Sequence, residues 1–81
     1  MPRFYFHLFN SLGTTVDNEG RELKDLPAAH DVAIATLRDV LGAELKADGH
    51  VNMASFIEIE DADRKLRMTV AAREAVDVTG G

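Results

Sequence analysis

The 81-residue chain has no cysteine, no tryptophan and only two prolines, and aromatic residues make up 6% of it. Without cysteine, neither a disulfide nor a zinc–thiolate site can staple the fold. No apolar run approaches the roughly 20 residues needed to span a bilayer. The opening Met1–Leu8 carries one positive charge and a short apolar run. It lacks the longer apolar core and small-residue cleavage site of a secretion signal, so a cytoplasmic location is expected. A basic region is also missing. Nine Lys and Arg stand against 14 Asp and Glu, a net charge of −5. Residues 1–24 are neutral, 25–49 carry −3 and 50–81 carry −2. Nucleic-acid binders release counterions from phosphate through clustered cations, so nucleic acid is not an expected partner.

What is present is enough for one small core. Hydrophobic residues make up 46% of the chain, but eleven of them are alanine. A chain of this length buries only roughly 60% of the surface its unfolded form exposes. With no covalent or metal staple available, a partner subunit is the remaining source of extra burial. There is no repeat, low-complexity tract or linker. The expected organisation is one domain over residues 1–78, followed by a frayed tail at 79–81.

Arg3–Phe9 predicts a strand with two alternating faces: Phe4, Phe6 and Leu8 against Arg3, Tyr5, His7 and Phe9. Asn10–Gly13 and Asp17–Gly20 carry turn chemistry, and Thr14–Val16 between them is an optional second strand. Arg21–Lys24 adds a few extended residues. Asp25 is the expected N-cap of a helix over Leu26–Ala47, with Pro27 in its first turn and Gly49 as its stop. Its apolar stripe is Leu26, Ala33, Leu37, Val40 and Leu41, with Ile34 and Leu45 at the edge. Ser55–Glu60 and Lys65–Val70 form a hairpin around Asp61–Arg64. Ile57 and Ile59, with Leu66, Met68 and Val70, face inward. Residues 71–78 read as a helical turn and an extended tail. The result is an α+β domain in two layers: a small antiparallel sheet of three to four strands, β-(β)-α-β-β, with one long helix on one face. The other face displays Tyr5, Phe9 and Phe56 among charged residues.

The opening Met-Pro-Arg-Phe-Tyr-Phe-His-Leu, the Asp17-Asn18-Glu19-Gly20 turn followed by Glu22-Leu23, and the Asp25-Leu26 helix start resemble a family of short bacterial single-domain proteins. So does the Phe56–Asp61 strand entering its hairpin. The family is catalogued only as a domain of unknown function, and the resemblance covers roughly residues 2 to 76. One departure is Arg64, where the family's hairpin usually carries glycine. The resemblance implies the fold and brings no activity, cofactor or catalytic residue with it.

The chemistry-bearing residues form few constellations. Pro2 would become an N-terminal secondary amine if Met1 were removed, as in the small β-α-β tautomerases that begin Met-Pro. Those enzymes pass almost directly from strand to helix, whereas about 15 residues intervene here. His7, His30 and His50 lie 23 and 20 residues apart, which is no metal-ligand spacing. Asp17–Gly20 lacks the ligand alternation of a calcium loop. Nothing in the sequence points to a cofactor, a metal or a small-molecule ligand.

The strongest signal is the aromatic sheet face. Three occupants are open to it: stacked bases, the C-terminal tail with Val76 and Val78, or another protein surface. The favoured reading is a non-enzymatic module that forms a homodimer or binds another protein through Tyr5, His7, Phe9 and Phe56. The alternatives are a tautomerase-like enzyme using Pro2 and a regulatory partner resembling strand-helix-strand antitoxin domains.

Overall fold

The computed structural model describes residues 1–10 and 12–79. Strands β1 (Arg3–Asn10), β2 (Gly13–Thr15) and β3 (Arg21–Glu22) precede helix α1 (Leu26–Asp48). Strands β4 (Phe56–Glu60) and β5 (Leu66–Ala71) and the short helix α2 (Ala72–Ala75) follow it. The expected turn at Asn10–Gly13 includes Ser11, and the expected frayed tail includes residues 80 and 81; these three lie outside the described residues.

The architecture is α+β, with one long helix on an open antiparallel sheet of five strands, more than the three to four expected. The sheet runs β2-β1-β4-β5, and β3 also pairs with β1. Both short strands lie along the same edge of β1, β2 against Leu8–Asn10 and β3 against Arg3 and Phe4. Between them the chain at Asp17–Gly20 leaves the ladder, and the Asp17 side chain takes up the free Phe6 N–H of the β1 edge instead.

The helix begins and ends as its termini dictate. Asp25 caps it through a hydrogen bond from the Ala28 N–H, 2.9 Å long. Gly49 closes it at φ 78°, donating its N–H to the Leu45 carbonyl. Ala29, Ala33, Leu37 and Leu41 are buried. Alanine at two of these positions lets the helix lie close over Phe4, Ile57, Ile59 and Val70. Phe6, Leu8, Ile34 and Met68 pack around that core. Leu45 does not join it and is 58% exposed.

Leu66 also departs from expectation: it is 55% exposed rather than part of the inner layer. The β4–β5 register shifts between Ile59 and Glu60, so Leu66 stands opposite Glu60 while Met68 stands opposite Ile59. One extra residue in β5 reverses the side to which Leu66 points.

Past α2 the chain runs beside α1. The Arg38 Nε donates to the Ala75 carbonyl at 2.7 Å, and Val76 packs against the core. The tail therefore lies on the helix side, away from the outer face of the sheet.

Candidate functional site

The outer face is built by the pairing of β1 with β4, which sets Tyr5 opposite Glu60, His7 opposite Glu58 and Phe9 opposite Phe56. Directly opposed side chains in an antiparallel pair lie about 5 Å apart, close enough for aromatic rings to stack. Phe9 and Phe56 do so, with centroids 4.6 Å apart and planes 10° from parallel. Both rings are half-buried.

At the other end, the Arg64 guanidinium covers the Tyr5 ring at 3.7 Å. Its Nη1 stands 3.6 Å from Glu60 Oε1. The same carboxylate oxygen meets His7 Nε2 at 2.8 Å. The second ring nitrogen of His7, Nδ1, accepts the Asp17 backbone N–H at 3.0 Å. An Nδ1 that accepts carries no proton, so His7 is the Nε2–H tautomer and donates to Glu60.

Asp17 ties the opposite edge together. Its Oδ2 accepts the Phe6 N–H, an edge donor of β1 in the gap between β2 and β3. Its Oδ1 accepts the N–H groups of Glu19 and Gly20. Partial burial is the largest single influence on this carboxyl and pushes its pKa up. The Gly20, Phe6 and Glu19 N–H donors together hold it below the ordinary aspartate value. Gly20 is at φ 70°, and a Cβ there would stand 2.9 Å from the Phe4 carbonyl and from Tyr5 Cε1. Only glycine lets the loop close this tightly on β1.

The loop and Glu60 leave His7 only 8% exposed. Of the four residues expected at the partner surface, Phe9, Phe56 and Tyr5 therefore lie together on the outer face. His7 lies beneath it, with both nitrogens engaged. Alternation in the sequence marked the face of His7. Its burial depends on a loop ten residues away, whose only local signal is an Asp-Asn-Glu-Gly turn. The depression above His7 has a volume of about 490 Å³ and is bordered by Phe9, Thr14, Asn18, Glu58 and Arg64.

The other candidates stand apart. Pro2 is exposed, and its carbonyl accepts the Leu23 N–H. His30 is at the helix edge, 3.6 Å from Glu74. Among the described residues, no group of three or more His, Asp and Glu side chains is placed to hold a metal ion. No helix among them is long and apolar enough to cross a membrane.

A family model described as "Domain of unknown function (DUF6894)" matches residues 3–78. No curated protein and no solved structure matches the chain.

Proposed function

The chain belongs to the DUF6894 family, and we propose that it is a non-enzymatic module that self-associates through the outer face of its sheet. The observation that carries this reading is the Phe9–Phe56 stack on a face that the tail leaves uncovered. Aromatic groups rimmed by charge are typical of the centre of a protein interface. Here Glu58 and Arg64 supply the rim.

The shape of the molecule supports the same reading. Its surface is 5407 Å², against about 4,800 Å² for a compact monomer of this mass. Its radius of gyration is 13.1 Å, against about 11.7 Å for a compact chain of 81 residues. A partner copy would remove part of that excess from water and add the burial that a core of four large, fully buried aliphatics does not supply.

The tautomerase reading lacks support of this kind. A proline amine needs desolvation to act as a base near neutral pH, and Pro2 is exposed. His7 has no free nitrogen with which to exchange a proton with a substrate.

The test is molecular mass as a function of concentration. Wild type should shift from monomer to dimer as concentration rises. Phe56→Glu should remain a folded, soluble monomer with a lower melting temperature. A wild type that stays monomeric at high concentration ends the self-association reading.

A further inference from the structure

On the other side of the molecule, a groove runs between the C-terminal half of α1 and residues 76–78. Its volume is about 470 Å³, and Leu41, Leu45, Val51, Met53 and Val76 line it. This falls within the roughly 300–1,000 Å³ of small-molecule sites. Leu45 and Val51 at its lip are 58% and 42% exposed, and Val78 is 84% exposed. Large aliphatic side chains clustered in water mark a place where something apolar docks.

Among the described residues, the one charged group in the lining is Arg38. Its Nε is fixed by the Ala75 carbonyl at 2.7 Å, which orients the guanidinium. Among the described residues no carboxylate lies within salt-bridge distance of it. The groove thus offers an apolar trough and, at one end, an oriented cation with Nη donors left over.

We propose that this groove binds a medium-length aliphatic carboxylate, with its chain along Leu41, Leu45 and Val76 and its head on Arg38. An oriented guanidinium matches a carboxylate with two parallel donors. The remaining lining has nothing to offer a polar body, so the rest of the ligand is hydrocarbon. A second copy of the chain fits less well. An antiparallel pair of α1 helices crossing at Gly42 would bring Arg38 towards Lys46, four residues to the other side, setting like charges against each other. The site is separate from the outer sheet face and does not depend on self-association there.

Gly42 lies in the lining, and a Cβ built on it meets nothing within 4 Å. A larger side chain there fills the groove without touching the core. The experiment titrates octanoate and, separately, octanol into the full chain by calorimetry, with amide chemical shifts to locate the site. Octanoate should bind saturably, shift residues around 38–45 and 76–78, and bind more tightly than octanol. Arg38→Gln should weaken octanoate roughly tenfold and leave octanol unchanged. Gly42→Leu should abolish binding of both while preserving the amide spectrum. Val51→Asp, at the exposed lip, should weaken octanoate by repulsion without relying on the helix substitution. The proposal is overturned by absent or non-saturable octanoate binding, by octanol binding as tightly as octanoate, by shifts centred elsewhere, or by unchanged binding in both blocking variants.

Discussion

The Arg64 guanidinium lies 3.7 Å above the Tyr5 ring, and Arg64 is the one non-glycine residue among those described with positive φ, at 65°. The left-handed conformation costs an L-residue about 1 kcal/mol. The aromatic contact and the approach to Glu60 offset that cost here. Replacement by alanine keeps the strain and loses the contacts, so Arg64→Ala should cost about 1 kcal/mol of stability. Arg64→Gly loses the contacts and the strain together and should lie within about 0.5 kcal/mol of wild type. Thermal unfolding of the two variants side by side checks the order; an alanine variant at least as stable as the glycine variant would contradict it.

Acid should loosen the edge of the sheet. Asp17 and Asp61 both have folded pKa values below the ordinary 3.8. For Asp61 the Lys65 N–H is the main cause; desolvation opposes it, and the Asp63 N–H and Arg67 add to the lowering. A carboxyl whose folded pKa is depressed stabilises the fold fully above its unfolded pKa, and that stability is lost as pH falls through the lower folded value. Unfolding measured between pH 6 and pH 2 should therefore show stability declining below about pH 4. Asp17→Ala should cost about 1–3 kcal/mol at neutral pH, because it strands the Phe6 donor, and should flatten part of the acid decline.

The tautomer of His7 is fixed by its two partners. Nitrogen NMR at neutral pH should show Nδ1 unprotonated and Nε2 carrying a slowly exchanging proton, because Asp17 donates to the first and Glu60 accepts from the second. A ring protonated at Nδ1 would contradict the account of how the 16–20 loop is held.

Ser55 is 2% exposed, and its Oγ finds no hydrogen-bond partner among the described residues. A buried hydroxyl without a partner costs about 1–3 kcal/mol. Ser55→Ala should consequently raise stability by about 1 kcal/mol, read as a higher melting temperature.

The elements that were legible in the sequence are those whose signals are local. The Asp25 cap, the Gly49 stop and the alternation of β1 and β4 needed only neighbouring residues to be read, and the short strands were marked by their flanking turns. Periodicity weighted by side-chain size underrates Ala29, because burial there reflects how close the helix approaches the sheet. Strict alternation puts Leu66 on the inner face because it carries no mark of the register shift opposite Glu60. At the candidate site, the two strand patterns put Phe9 and Phe56 on one face, whereas their direct pairing depends on the β1–β4 register. The covering of His7 is legible in neither pattern, because it is made by backbone and carboxylate groups of a loop distant in sequence.

The most direct test of the proposed sheet-face association is an NMR sample that mixes isotope-labelled and unlabelled chains at high concentration, read for contacts between protomers. Self-association through this face should give intermolecular cross-peaks from the rings of Phe9 and Phe56. A concentrated sample in which those rings show only intramolecular contacts would contradict it.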